Sequence, residues 1–429
     1  MSYEEKEKIK AQIFKLVEKY FSLKEDKFIP GETPIPTMGV PFDHEEVNEV
    51  IDTLLSTKVT MGSKVEEFEK SFANWVGTKY GVMTNSGSSA NLLCLSALTT
   101  PLYKNKLTKG CEIITPGFTW ATTLYPIADL NLLPVLVDVD LETFNIDPDA
   151  LEEAITKKTK ALFIPHLVGI PCEMDKIVKI AEKHNLLLIE DACEAHGAEY
   201  DGKKVGTYGL ASTYSFFYSH HITTVEGGMV LTDDEELSEL MKAMRAFGWI
   251  RNLKKKEEIA KAYPEIDPRV LFITRGYNIR PTEMQAAFGI QQLKKLDKVI
   301  EVKRKIAEDL SRKLEPYKEY LIIPKERPRT KYTWFVYPLI VREIAPFTRN
   351  ELTNYLEQKK IETRLIAAGN MAEQPVIKQI EHKIVGELRN ARLLHRNSFF
   401  IGCHAGIRKP QIEYIAKTFE EFINSRVKR

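Results

Sequence analysis

Four short stretches of this chain carry side chains suited to gripping an anion, covering a flat ring and moving a proton. Asn85-Ser86-Gly87-Ser88-Ser89-Ala90-Asn91 follows an apolar run and opens a helical one. Small residues there let backbone N–H groups approach an anion, and the helix N-terminus adds a favourable dipole. A serine-rich N-cap would use the same residues for structure alone. Trp120 stands just past the run Glu112–Thr115. A flat aromatic at that point can stack on a planar ring, although a lone tryptophan more often fills a core. Asp191 ends the apolar run Leu186–Glu190, where a carboxylate can face a ring nitrogen or merely cap the next element. His220 sits in Thr213-Tyr214-Ser215-Phe216-Phe217-Tyr218-Ser219-His220-His221. An imidazole moves protons near neutral pH but cannot form a stable Schiff base. The pair His220-His221 invites a zinc reading. Neighbours on an extended strand point to opposite faces, however, and no further ligands stand at zinc-site spacing, so no metal is expected.

Ser215, five residues before His220, and the segment Gly276-Tyr277-Asn278-Ile279-Arg280 complete the pattern. Together these stretches resemble the cofactor segments of the DegT/DnrJ/EryC1/StrS sugar aminotransferases, which use pyridoxal 5'-phosphate (PLP). The resemblance runs from about residue 38 to the C-terminus and is strongest over 210–310. It implies that Gly87, Ser88 and Ser215 hold the cofactor phosphate and that Trp120 stacks on the ring. It further implies that Asp191 keeps the ring nitrogen protonated and that Glu194 lines the pocket. Asn278 would reach the phosphate in the other subunit of a homodimer. Where the family carries its Schiff-base lysine, this chain carries His220.

That substitution is the mark of the family's nucleotide-sugar 3-dehydratases, which remove a hydroxyl from a 4-keto-6-deoxy sugar. The resemblance therefore implies His220 as general base and acid, with PLP and pyridoxamine 5'-phosphate (PMP) held non-covalently. L-glutamate would be the amino donor, and 2-oxoglutarate and ammonia would leave. The implied substrate is GDP-4-keto-6-deoxy-mannose or the heptose analogue, a precursor for dideoxysugars of surface polysaccharides. Arg251 and Arg364 are candidates to pair with glutamate carboxylates or sugar phosphates; surface salt bridges would account for them equally well. Two departures from the pattern are Phe247, where a histidine is expected, and Glu373, near a site where the cysteine-bearing branch has a basic residue.

Three rivals stand beside this reading. An ordinary sugar aminotransferase would need another lysine at the ring, and Lys203 and Lys204 fit no motif. A CDP-hexulose 3-dehydrase would need an iron–sulfur cluster, yet no cysteine lies between Cys193 and Cys403. A non-catalytic binding relative would have little reason to keep Trp120, Asp191, Ser215 and His220 together.

The elements that must position these residues alternate along the chain. Apolar runs at 80–84, 112–115, 135–138, 161–164 and 186–190 read as buried strands, with helical stretches such as 88–99, 173–184 and 233–247 between and after them. That alternation predicts an α/β fold with a mostly parallel sheet covered on both faces, ligands binding beyond the strand ends. The resemblance specifies the aspartate-aminotransferase-like (type I PLP) fold. Residues 1–38 are expected to form an N-terminal helix and connector, 39–295 a large PLP-binding domain, and 296–429 a smaller α+β domain. A stripe including Ile9, Ile13, Leu16 and Tyr20 predicts that the N-terminal helix docks on the body.

Composition removes other classes. Lys plus Arg number 61 against 60 Asp plus Glu, a net charge of +1 over 429 residues, which offers nucleic acid or anionic membrane no footprint. Five scattered cysteines imply reduced thiols, and a charged N-terminus with no apolar span predicts a cytoplasmic protein.

Overall fold

The computed structural model describes residues 2–23, 27–39 and 42–427. Its centre is an eight-stranded sheet in the order Tyr80–Thr84, Gly228–Thr232, Ala211–Ser215, Leu187–Asp191, Thr159–Pro165, Glu112–Pro116, Leu133–Val137, Lys383–Ile384. From Ala211–Ser215 to Lys383–Ile384 every pairing is parallel, while Gly228–Thr232 runs antiparallel to both its neighbours. Helices including Gly87–Thr99, Ala121–Asp129 and Met174–Lys183 connect the parallel strands. Burial on both faces is why the parallel strands read as unbroken apolar runs and do not alternate. Ile113, Ile114, Leu162 and Phe163 are fully buried, for example.

All five expected strands form, with bounds that differ by a residue or two. Ala211–Ser215 and Gly228–Thr232 add to them. The first is built of small and hydroxylated residues, Ser212 and Thr213 among them, yet is buried throughout. Its small side chains let the neighbouring turn approach, which matters below.

A second, four-stranded antiparallel sheet joins Leu321–Ile322, Tyr337–Val341, Ser398–Ile401 and Thr363–Arg364. The helix Glu283–Leu314 links the two sheets. Thr282 and Gln285 form a capping box at its start, satisfying N–H groups that have no intrahelical partner. At 32 residues it spans about 48 Å. Ala286, Ile290 and Leu296 enter the core beside the large sheet, whereas Ile306, Leu310 and Leu314 enter the core of the small one. The proposed division at residue 295 thus cuts a continuous helix.

The N-terminal helix forms over Tyr3–Ser22, but none of its residues is buried. Lys10 bonds Asp52 at 3.0 Å, and Phe21 meets the ring of Phe42 at 6.2 Å. Ile9, Leu16 and Tyr20 of the expected docking stripe face outward. Periodicity identified the helix correctly; it did not say which face is covered. Among the described residues no helix is long and apolar enough to cross a membrane.

Candidate active site

Several of the singled-out residues stand at or just past the carboxyl ends of the sheet strands. Asp191 closes the strand Leu187–Asp191 and is buried. Its Oδ2 accepts from Asn91 Nδ2 at 2.9 Å and from Thr123 Oγ1 at 2.8 Å, and its Oδ1 from the Cys193 N–H at 3.2 Å. These donors fix the carboxylate's orientation, and among the described residues no lysine or arginine pairs with it. Asn91 and Thr123 were not foreseen as site residues. Thr123 lies one helical turn past Trp120, the only local hint available.

Beside Asp191 the helix Gly87–Thr99 begins, capped by Ser86, whose Oγ accepts from the Ser89 N–H at 3.1 Å. The N–H groups of Gly87 and Ser88 have no partner within the helix. A Cβ on Gly87 would lie 2.4 Å from the Cβ of Ser215, so only glycine lets that strand end come against the helix start. The result is a concave cluster of backbone donors plus one hydroxyl, suited to a phosphate. The cap reading of the turn is observed in Ser86.

Trp120 precedes the helix Ala121–Asp129 and is 52% exposed, so it is no core residue. Glu194 accepts the Val168 N–H at 2.8 Å. Burial pushes its carboxyl up to about 7, with the Val168 N–H opposing and the charge of Asp191 adding.

His220 follows Ser215 in a turn, its N–H donating to the Phe217 carbonyl at 3.0 Å. The backbone is not extended here, which corrects the expectation that His220 and His221 point to opposite faces. Both rings gather around His196, at centroid distances of 6.0 and 5.3 Å. His220 stacks on Phe335 at 5.0 Å and 27°, and His221 Nε2 bonds the Thr333 carbonyl at 3.0 Å. Both nitrogens of His196 are buried and unpaired. Among the described residues no group of three or more His, Cys, Asp or Glu could hold a metal ion. Burial pushes His220 down to about 3, the Cys193 backbone opposing and Lys303 adding. The imidazole is therefore neutral at physiological pH.

His196, His221 and His404 are likewise held below the ordinary value, with burial the first cause in each. Between the unfolded histidine value of about 6.5 and the folded values, the unfolded chain binds more protons, so stability rises with pH. Tm is expected to fall from about pH 6.5 downward, because four lowered histidines outweigh the single raised carboxyl of Glu194, which acts in the opposite sense over the same window. A thermal melt series that is flat until pH drops into the carboxylate range would refute this.

The remaining candidates stand elsewhere. Asn278 is exposed and its Oδ1 accepts from Arg280 Nε at 3.0 Å, while the Asn85 N–H bonds the Ile279 carbonyl at 3.1 Å. Arg251 lies over the Trp249 ring and lines a cavity of about 480 Å³ with Lys256, Lys261 and Arg269. Arg364 is exposed and bonds Glu362 at 2.7 Å. None of the three hydrogen-bonds to Gly87, Asp191, Ser215 or His220. Phe247 lies under the Arg280 guanidinium, and Glu373 pairs with Arg392 at 3.3 Å. Lys203 covers the Tyr208 ring and Lys204 the Trp75 ring, so each is already engaged.

A phosphate cradle, an exposed indole and a buried carboxylate with fixed orientation fit a phosphorylated pyridine. The DegT/DnrJ/EryC1/StrS aminotransferase family matches residues 41–420. The chain belongs to this family. It is 41% identical over 372 residues to the GDP-4-keto-6-deoxy-D-mannose 3-dehydratase of Yersinia pseudotuberculosis, covering 86% of this chain and 94% of that one. Among solved structures it is similar to the Escherichia coli GDP-4-keto-6-deoxy-D-mannose-3-dehydratase with bound hydrated PLP. There the TM-score is 0.85 at 38% identity, over 90% of this chain and 98% of the other. A GDP-4-keto-6-deoxymannose-3-dehydratase with a trapped PLP-glutamate geminal diamine superposes equally, with a TM-score of 0.85 at 38% identity over 90% and 99%. The expected aminotransferase-type fold and PLP dependence are thereby established for the DegT/DnrJ/EryC1/StrS member described here.

Proposed function

We propose that this chain removes the C3 hydroxyl of a nucleotide-linked 4-keto-6-deoxy sugar, GDP-4-keto-6-deoxy-mannose or its heptose analogue. L-glutamate reloads PLP to PMP, and the products are the 4-keto-3,6-dideoxy sugar, 2-oxoglutarate and ammonia. The observation that supports this reading best is the 41% identity to a GDP-4-keto-6-deoxy-D-mannose 3-dehydratase, together with His220 where the sequence resemblance puts the family's lysine.

PLP, when bound, supplies an amine carrier and an electron sink for a neighbouring C–H bond. Gly87, Ser88 and Ser215 would hold its phosphate, Trp120 would cover one face of the ring, and Asp191 would serve the ring nitrogen. Glu194, its carboxyl pushed up to about 7 by burial, would line the pocket beside Asp191. His220 takes a proton at the cofactor's C4′ carbon and returns one to the departing C3 oxygen. A neutral imidazole is competent for the first task, and the imidazolium so formed performs the second. Arg251 and Arg364 are the candidates for the substrate's phosphates and the glutamate carboxylates.

Incubation with glutamate and a panel of GDP- and CDP-linked 4-keto-6-deoxy hexoses and heptoses tests the proposal by product mass. A product lighter by one oxygen atom is expected with one of them. A product retaining nitrogen at C4 would make the chain an aminotransferase and overturn the proposal.

The active unit is a homodimer in this reading, with Asn278 serving the partner's phosphate across a two-fold interface. Mixing Asn278→Asp with His220→Asn is then expected to regain activity, because one hybrid site receives both native residues. Hybrids no more active than their parents would exclude shared sites.

A further inference from the structure

Lys303 lies within the helix Glu283–Leu314, is 3% exposed and has no ion pair among the described residues. Its Nζ donates to the Phe335 carbonyl at 3.2 Å and to the Cys403 carbonyl at 2.5 Å. A buried ammonium without a counter-charge is costly, and a methionine would fill the same space without that cost. Its neighbours show what the lysine does. Phe335 is the ring on which His220 stacks. Its N–H donates to the Val168 carbonyl at 3.0 Å, so Phe335 is fixed at the N–H by Val168 and at the carbonyl by Lys303. Val168 is in turn fixed by Glu194 through its own N–H.

We propose that Lys303 is a positioning residue for His220: by fixing the backbone of Phe335 it sets the aromatic face against which the imidazole stands, and its buried charge faces the histidine cluster. The inference rests on His220 being the proton-transferring group. The charge of Lys303 adds to burial in holding down His196, His220, His221 and His404, ranking higher for His221 and His404 than for the other two. The groups facing His220 are Cys193 and His196 beyond the strand Leu187–Asp191, His221 on its own turn, and Lys303 on the long helix. Cys403 and His404 flank Lys303 from the small sheet. No carboxylate acts on His220 among these. A second positive charge on its imidazole is therefore disfavoured, and the ring enters each cycle neutral.

The test uses PLP-loaded protein with 13C-labelled histidine Cε1 and follows the His220 resonance, assigned by its loss in His220→Asn. In the native protein that resonance is expected to keep its neutral position well below the usual histidine midpoint of about 6.5. In Lys303→Met the midpoint should move upward. The kcat should fall about tenfold to a hundredfold, as misplaced catalytic groups typically cost, with KM for the sugar little changed. Lys303→Arg, which keeps charge and donors, should recover part of both. An unmoved titration in folded Lys303→Met overturns the proposal. If Lys303→Met does not fold, Phe335→Leu decides: a tenfold or greater loss of kcat, rescued in Phe335→Tyr, supports the proposal, and native kcat overturns it. The titration reads the ring whatever reaction is catalysed, so failure here leaves the dehydratase reading intact. That reading fails separately, if His220→Asn turns over normally.

Discussion

Replacing His220 with asparagine is expected to lower kcat for C3 deoxygenation by about a hundred- to ten-thousandfold, the usual worth of a positioned general base. Asparagine keeps a polar group of similar reach but neither takes nor returns a proton. The phosphate cradle, Trp120 and Asp191 are untouched by the change, so PLP should still bind with its native absorbance. Borohydride should fail to attach PLP to the resting native protein, since His220 offers no imine and Lys203, Lys204 and Lys303 are engaged elsewhere. Near-native turnover by His220→Asn, or a reducible lysine–PLP bond in the native protein, would defeat the assignment.

Asp191→Asn is expected to cost on the order of a hundred- to a thousandfold in kcat, the range found when one preorganised electrostatic group is removed. The cause would be different from that at His220. Asn91, Thr123 and the Cys193 N–H all donate to the carboxylate and would now meet an amide. The ring nitrogen would lose the charge that keeps it protonated, and with it the electron sink. Both the loading by glutamate and the deoxygenation should therefore slow together, whereas His220→Asn should chiefly slow the second. Stopped-flow measurement of each half-reaction separates the two. An Asp191→Asn enzyme whose halves run at native speed would remove Asp191 from the cofactor frame.

The members of the proposed cofactor frame were open to sequence reading because they stand at local landmarks that the fold reproduces. Gly87 and Ser88 begin a helix, Asp191 ends an apolar strand, and Trp120 falls between a strand and a helix. Such positions follow from a few neighbouring residues. Phe335 and Lys303 leave no local trace, since they meet His220 and the Phe335 carbonyl only through packing between the two sheets. The same limit hid the buried strand Ala211–Ser215, whose serines and threonine break the apolar pattern that marked its neighbours. It also misplaced His221: a strand was assumed where the chain turns, and side-chain direction reverses with such an error.

The outermost strand of the large sheet has a consequence for synthesis. Lys383–Ile384 pairs with Leu133–Val137, a bare apolar edge until the ribosome has passed residue 384. At about 5–20 residues per second that exposure lasts roughly tens of seconds. Phe335 and Lys303 also emerge after the cofactor cradle is complete, so a nascent chain holds the phosphate turn before its histidine has a fixed neighbour. A chain cut short before residue 383 never covers its edge, and open apolar edges template aggregation. Nonsense truncations upstream of residue 383 should thus yield inclusion bodies, not partially active enzyme.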